Sequence, residues 1–448
     1  MLIERAKSYD LACGNDVVHL DFNLPENNVI FAKAKCGSSS EPIEALAKKA
    51  LDSPIGTKRL RDRDLNGKSV AILVDDKTRP TPANRLAPIV LDELKQAGVS
   101  DKDILFVIAC GLHTPEMPLP IVTAEQQIES KLGRELVDKY KVITHNGYNW
   151  DNLQFIGFSG LGTPLWINKA VAKADFRVAI GRICPHSDPG YEGGGKMILP
   201  GVSSMESVMH NHRMCCSPRT GPGTLDENPV RTDMDEIGKM AKLDFILNMV
   251  SKPGRGSGGE NIWNEGFAGD SILAHRCGVE FGDKNVWGAE IGEKADITIA
   301  FPGPSGIGNA NLTYAKQGTK PTGTVIYLAN EPQTPRKLDN PPHWWYTQED
   351  LKGCDLETIV RRYQHFKIVN PEDVWITDGA ATGASRQFHS KDQELVKISS
   401  QSPSEIQKEL DTATAKALEK HGASARIVVL SDGNTLPLPR FHIATVHA

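Results

Sequence analysis

The chain has 448 residues, of which 24% are charged and 39% hydrophobic, and its formal net charge is −5. These ordinary globular values exclude a disordered protein, and at roughly 150 residues per domain they predict two to three domains. The charge balance gives no reason to expect nucleic acid or an anionic membrane as a partner. The sequence has no run of about 20 apolar residues and no signal-peptide core at its start, so we expect a cytoplasmic protein.

Strand and helix patterns alternate along the first half of the chain. Segment 65–76 contains an apolar run typical of a buried strand, and segment 82–98 has apolar residues at helical spacing. The same criteria predict strands at 103–111, 141–146 and 176–183, and helices at 125–140 and 228–243. This alternation predicts parallel strands connected by helices, so the expected fold class is α/β.

A second α/β unit is predicted in the C-terminal part of the chain. Segments 294–303, 322–330 and 425–433 have strand patterns, and segment 404–422 has a helix pattern. We therefore expect two α/β domains with a cleft between them. Residues 1–285 would form the N-terminal domain and residues 286–448 the C-terminal domain, which would close over the substrate.

Polar residues follow the predicted strands of the first unit. Asp75–Pro80 follow the first strand, His113 the second, His145 the third and His186 the fourth. Open α/β sheets bind their ligands at the carboxyl ends of the strands. A single histidine there is more often a loop or capping residue, but four polar strand ends together predict a reactive site at this edge.

The sequence GYEGGGKM (190–197) differs by one residue from the phosphate-binding pattern Gly-x-x-x-x-Gly-Lys-Ser/Thr. The N–H groups of Gly193, Gly194 and Gly195 can form a concave phosphate site, with Lys196 supplying charge. A methionine replaces the hydroxyl that would hold Mg²⁺, which disfavours ATP chemistry but not a phosphate-bearing ligand. A surface turn is the structural alternative. In a dry cleft the lysine can also be a covalent attachment point.

The eight cysteines contain no Cys-x-x-Cys pair and no spacing typical of a disulfide scaffold, so reduced thiols are expected. Cys215 and Cys216 are near His210 and His212 in the sequence, an arrangement that also allows a soft metal site. Inert, partly buried thiols are the favoured interpretation.

Several motifs occur in fixed order along the chain. They are PIGTKRL (54–60), DDKTRPTP (75–82), GLHTPE (111–116), LGTPLWINKAV (161–171), IGRICPHSDPGYEGGGKMILPG (180–201), MESVMHNH (205–212) and FAGD (267–270). In this order they closely resemble the lactate racemase family, whose members use the nickel-pincer nucleotide. The resemblance implies two α/β domains joined by hinge segments near 270–290 and 404–422, with the cofactor between the domains.

The resemblance also implies roles for individual residues. Lys196 matches the lysine that forms a covalent thioamide link to the pyridinium mononucleotide. His212 matches the histidine that ligates nickel, a metal for which imidazole is a suitable ligand. His113 and His186 match the two catalytic histidines.

Two further matches lie after the first predicted strand, and the chain departs from the family pattern at two other places. Asp76 matches an aspartate of the cofactor site, and Arg79 matches an arginine suited to hold a substrate carboxylate. Glu192 stands where the family commonly has serine, which adds a negative charge close to the phosphate. The family pattern Tyr-Gln-x-x-Lys is altered at 311–317, so Lys316 is a candidate substrate ligand, and an exposed lysine is the alternative. The tryptophans at 343–346 are expected to be buried anchors.

The resemblance implies a racemase or epimerase that inverts C2 of a 2-hydroxy acid by reversible hydride transfer through a 2-keto acid. Two histidines with pKa values near neutrality suit removal of the hydroxyl proton on either face. The altered second-domain segment favours a substrate other than lactate, such as a larger hydroxy acid or a sugar acid. Cofactor-maturation proteins are expected partners. Two alternatives stay open: a nucleotide-binding phosphotransferase that uses the 190–197 loop, and a non-catalytic cofactor-binding protein.

Overall fold

The computed structural model describes residues 8–13, 16–21, 28–32, 34, 39–113, 124–186, 188–217, 219–252, 263–300, 314–328, 393–398, 402–430 and 436–438. The tryptophan segment 343–346 and residues 311–313 of the altered family segment lie outside these ranges. Within them, no helix combines the length and the apolar character needed to cross a bilayer.

Strands and helices alternate along the first part of the chain, as predicted. In chain order the elements are β1 (Ser8–Cys13), β2 (Asp16–Asp21), β3 (Val29–Ala32), α1 (Ile43–Asp52), β4 (Val70–Asp75), α2 (Ala83–Gln96), β5 (Ile104–Ala109), α3 (Ala124–Lys139), β6 (Lys141–Thr144), β7 (Leu153–Phe158), β8 (Pro164–Asn168), α4 (Lys169–Lys173) and β9 (Phe176–Ile183).

The later elements complete the first sheet and form the second. They are β10 (Pro185–His186), β11 (Gly190–Tyr191), α5 (Met205–His212), α6 (Pro229–Met240), β12 (Phe245–Ser251), β13 (Trp263–Gly269), α7 (Leu273–Asn285), β14 (Gly288–Glu290), β15 (Ala295–Ala300), β16 (Thr319–Leu328), β17 (Glu394–Ile398), α8 (Pro403–His421), β18 (Ile427–Leu430) and β19 (Leu436–Leu438).

The first sheet has six strands in the order β13-β12-β9-β4-β5-β6. All neighbours pair in parallel except β13, which is antiparallel to β12. Strand β4 is buried on both faces: Ile72 packs with Leu86 of α2, and Leu73 packs in a second cluster with Met234 of α6. Helices on both faces explain why this strand is a continuous apolar run rather than an alternating one.

The second sheet has five parallel strands in the order β17-β16-β15-β18-β3. Helix α8 covers one face, where Ile406 and Leu410 pack with Ile299. Strand β3 pairs with β18, so a segment near the beginning of the chain completes this sheet. The structure confirms the α/β class with two parallel sheets. The boundary at residue 285 stays a prediction.

A shared hydrophobic cluster links the two sheets. Ile183 at the end of β9 and Val250 of β12 pack together with Trp287, Tyr314 and Val325 from the second half of the chain. The Gly-rich loop follows β11, whose Tyr191 belongs to the same cluster. The loop therefore starts where the two sheets meet.

Candidate active site

The carboxyl ends of β4 and β5 bring Asp76 and His113 together. The two strands pair in parallel with Asp75 opposite Ala109, so the loops that follow them leave the same edge of the sheet. Nδ1 of His113 lies 2.5 Å from Oδ2 of Asp76. A carboxylate at this distance accepts the Nδ1–H bond, which places the lone pair of the neutral ring on Nε2.

Asp76 is held in its ionised form. Its Oδ1 accepts hydrogen bonds from N of Thr78 at 2.9 Å and from Oγ1 of Thr78 at 2.5 Å. Burial alone would raise the pKa of Asp76, but His113, Arg79 and Thr78 together lower it well below the ordinary value. The carboxylate is therefore a fixed negative charge that orients the His113 ring.

Glu192 lies between two arginines. Its Oε1 is 2.5 Å from Nε of Arg79, and its Oε2 accepts a hydrogen bond from Nε of Arg182 on β9. Burial would raise the pKa of Glu192, but Arg182, Arg79 and Lys196 hold it well below the usual range. Arg79, predicted to bind a substrate carboxylate, is thus already bound on one side by a carboxylate of the protein.

The Gly-rich loop forms a 3₁₀ turn at Gly194–Met197 and not the start of an α-helix. The N–H of Gly194 donates to Oδ1 of Asn248 at 3.0 Å, and the N–H of Lys196 donates to the carbonyl of Gly193 at 3.3 Å. Of the three N–H groups of the expected phosphate site, that of Gly194 therefore bonds within the protein. The contact of the three glycines with a cofactor stays a prediction.

The glycines allow the loop to pack closely against its neighbours. Gly193 has φ 86°, a left-handed conformation that favours glycine, and a Cβ there would lie 2.8 Å from the carbonyl oxygen of Arg182. A Cβ on Gly195 would lie 2.2 Å from the carbonyl oxygen of Met234 on α6. The loop therefore sits directly on β9 and α6.

Arg231 holds the loop from α6, and no motif or spacing in the sequence indicates this role. The side chain is fully buried. Its guanidinium donates to the carbonyl oxygens of Tyr191, Gly193 at 3.2 Å and Pro189 at 3.3 Å, and to Oδ1 of Asp235 at 3.2 Å. One side chain thus satisfies three backbone acceptors of the loop.

Lys196 carries a buried amine. Its Nζ has no hydrogen-bond partner among the described residues. Burial and the positive charge of Arg79 lower the pKa of Lys196 to about 7, against the opposing effects of Glu192 and Asp188. A buried amine that is partly neutral at neutral pH is a nucleophile, and its missing partner fits a group bound at this atom.

His186 lies near this lysine, and His212 lies near His186. The N–H of Asp188 donates to Nδ1 of His186 at 3.2 Å, so the neutral ring carries its proton on Nε2. Burial and the charges of Lys196, Arg79 and His212 lower the pKa of His186 well below its ordinary value. His212, the last residue of α5, is thus close enough to influence the second predicted catalytic histidine.

His145 does not join the site, contrary to what its position at a strand end suggested. It is fully buried, and its Nε2 lies 2.9 Å from the carbonyl oxygen of Ser203. Burial lowers the pKa of His145 to about 4, so the ring is a neutral structural group.

Lys316 is only 7% exposed, and burial lowers its pKa to about 7. The pKa of Lys196, by contrast, responds to Arg79, Glu192, Asp188 and Arg231. The role of Lys316 as a substrate ligand stays a prediction.

The fold and the buried lysine define a two-sheet α/β protein with a charged site at the strand ends. Residues 15–223 match the lactate racemase N-terminal domain. The chain is 36% identical over 267 residues to a lactate racemase of Thermoanaerobacterium thermosaccharolyticum, a match that covers 58% of this chain and 59% of that protein. It is 27% identical over 417 residues to a lactate racemase of Lactiplantibacillus plantarum, covering 88% and 90%.

Solved structures agree with these matches. The structure of the lactate racemase apoprotein from Thermoanaerobacterium thermosaccharolyticum has a TM-score of 0.67 and 25% identity, and the match covers 96% of this chain and 99% of that one. A crystal structure of a Thermotoga maritima protein shares the fold at a TM-score of 0.52 and 18% identity, covering 88% and 98%. The chain is thus similar to lactate racemases in sequence and in fold, in agreement with the resemblance that its motifs indicate.

Proposed function

We propose that this protein is a racemase or epimerase that inverts C2 of a 2-hydroxy acid with a nickel-pincer nucleotide. The observation that carries the proposal is the buried amine of Lys196, which has no hydrogen-bond partner among the described residues. The relatives named lactate racemase support the reaction class.

The residues present fit this cofactor. Lys196 would hold it through a thioamide link, Asp76 and Gly193–Gly195 would line its site, and His212 would ligate nickel. Within the described ranges no group of three His, Cys, Asp or Glu side chains is placed to hold a metal ion. The resemblance implies that the nucleotide would supply the other nickel ligands. When bound, the cofactor supplies a ring that accepts the C2 hydride and returns it.

His113 is arranged to accept the hydroxyl proton. Asp76 accepts the Nδ1–H bond at 2.5 Å, so proton uptake occurs at Nε2. The same hydrogen bond fixes the tautomer and the orientation of the ring.

The hydrogen bond at Nδ1 of His186 differs from that of His113. The Asp188 N–H occupies its Nδ1, and its lowered pKa keeps the ring neutral. It therefore donates a hydrogen bond from Nε2 to the substrate oxygen on the second face. Acceptance of a proton at Nε2 requires the other tautomer and loss of the Asp188 bond.

Arg79 holds the substrate carboxylate with the part of its guanidinium that faces away from Glu192. Its Nε contacts Glu192 and its Nη1 donates to Oγ1 of Thr78 at 2.6 Å, and a guanidinium has five N–H donors in all. Lys316 is the candidate second ligand from the C-terminal domain. That domain would close on hinge segments 270–290 and 404–422, and maturation proteins would load the cofactor.

A nucleotide-binding phosphotransferase has weaker support. Its phosphate would need the N–H groups of Gly193, Gly194 and Gly195, and that of Gly194 bonds to Asn248 within the protein. The 3₁₀ turn also lacks the helix start that strengthens phosphate binding in such loops.

The test is a panel of 2-hydroxy acids, larger and sugar acids included, incubated with cofactor-loaded protein and assayed for inversion at C2. Substrate deuterated at C2 is expected to keep its label in the inverted product, because the hydride returns without meeting solvent. Histidine variants His113→Ala and His186→Ala are each expected to lower inversion by about 10²- to 10⁴-fold. Absence of inversion across the panel would overturn the function, and complete loss of label would overturn hydride transfer.

A further inference from the structure

Glu192 joins the Gly-rich loop to the strand end that carries the proposed catalytic groups. We infer that Glu192 is a positioning residue: its carboxylate fixes the orientation of Arg79 and serves as the counter-charge of Lys196. The inference rests on the proposed function, which assigns substrate binding to Arg79 and cofactor attachment to Lys196.

The backbone of Glu192 is held from two sides. The N–H of Glu192 donates to the carbonyl oxygen of Cys184 at 2.8 Å. The carbonyl oxygen of Glu192 lies 2.8 Å from Nε2 of His275. The residue is 5% exposed. The carboxylate therefore has little freedom to move, and Arg182 on β9 holds one of its oxygens.

A continuous series of hydrogen bonds runs from Glu192 to His113. Glu192 binds Nε of Arg79, and Nη1 of Arg79 donates to Oγ1 of Thr78. Thr78 donates to Oδ1 of Asp76, whose Oδ2 contacts His113. Two contacts on different nitrogens fix the plane of the guanidinium. The directions of its other N–H groups are therefore also fixed, as a carboxylate clamp requires.

Glu192 also balances the charges around Lys196. Arg79 and Arg231 disfavour the protonated amine, and Glu192 and Asp188 favour it. His186 belongs to the same group of interacting charges, because the charge of Lys196 lowers the pKa of His186. Loss of the Glu192 charge leaves Arg79 and Arg182 without their common carboxylate, so the amine should lose its proton at lower pH.

The experiment is an NMR titration of protein without cofactor, labelled with ¹³C at the lysine ε carbons and assigned with Lys196→Met. The variant Glu192→Gln removes the charge and keeps the shape, and it should lower the Lys196 midpoint by about one pH unit. Arg79→Met should raise the midpoint. Glu192→Asp restores the charge and should return the midpoint towards wild type.

The matched control is Asp235→Asn. Asp235 is also a buried carboxylate contacted by two arginines, Arg231 at 3.2 Å and Arg276 at 3.1 Å, but it is not among the groups that shift Lys196. It should shift the midpoint less than Glu192→Gln does, because its partner Arg231 has a smaller effect on Lys196 than Arg79 has. An unchanged midpoint in folded Glu192→Gln, or a shift in Glu192→Asp as large as that in Glu192→Gln, overturns the inference.

Arg79→Met keeps the test decisive if Glu192→Gln does not fold, because Arg79 is partly exposed and its removal leaves a buried carboxylate still paired with Arg182. An unchanged or lower midpoint in Arg79→Met also overturns the inference. The titration uses neither cofactor nor substrate, so it can fail or succeed independently of the panel of hydroxy acids. In loaded enzyme, Glu192→Asp should raise KM for the hydroxy acid more than it lowers kcat, because it releases Arg79.

Discussion

Replacement of Arg231 by methionine should destabilise the protein more than loss of an ordinary buried side chain. The guanidinium is fully buried and donates to three loop carbonyls and to Asp235. Methionine fills similar volume but donates nothing, so these acceptors lose their partner and Asp235 loses a charge partner. Removal of one partner of such a buried pair costs about 3–5 kcal/mol, which multiplies the unfolded fraction by roughly 10² to 10³ or more.

The assay is urea unfolding of wild type, Arg231→Met and the control Arg276→Met. Arg276 contacts the same carboxylate at 3.1 Å, but its side chain is 17% exposed, and no hydrogen bond from it to a carbonyl of the 189–193 loop is among those described. The control should therefore lose less stability. A loss below about 1 kcal/mol for Arg231→Met, or an equal loss in both variants, would refute the claim that Arg231 supports the loop.

Three further outcomes are expected. Lys196→Ala should lose the covalent adduct in intact-mass spectra of cofactor-loaded protein, and an adduct of the same mass on the variant would contradict the attachment site. His212→Ala should keep that adduct but bind less nickel by elemental analysis. Full nickel occupancy in this variant would contradict the assignment of His212, and His210 would be the next ligand to test. Stability should fall by up to about 3 kcal/mol between pH 6.5 and pH 4 on account of His145. Its folded pKa of about 4 means that only the unfolded chain takes up the proton in this window, and His145→Gln should reduce the loss.

Much of the fold could be predicted because the signals were local. The apolar run at 176–183 coincides with strand β9, and the predicted helix at 404–422 differs from α8 by one residue at each end. The five-stranded sheet was harder. Its strand β3 pairs with β18 nearly four hundred residues later, and four residues of strand pattern do not indicate so distant a partner.

The site was predictable where motifs carry it, and less so where packing does. Asp76 and His113 follow neighbouring parallel strands, so their meeting is a consequence of sheet topology. His145 follows the next strand, yet its ring turns into the core, because strand order does not fix side-chain direction in a loop. The contacts of Arg231 depend on how α6 lies on the loop, and no spacing in the sequence encodes that.

The pairing of β3 with β18 has a consequence for synthesis and for dissection of the chain. The first sheet can form once residue 269 has been synthesised. Strand β3, which is synthesised early, has no partner in the second sheet until β18 has also been synthesised. A C-terminal fragment that begins after residue 285 would contain strand β18 (Ile427–Leu430) but not its neighbour β3. Unpaired apolar edge strands aggregate, so such a fragment should be recovered in insoluble form unless residues 28–34 are supplied.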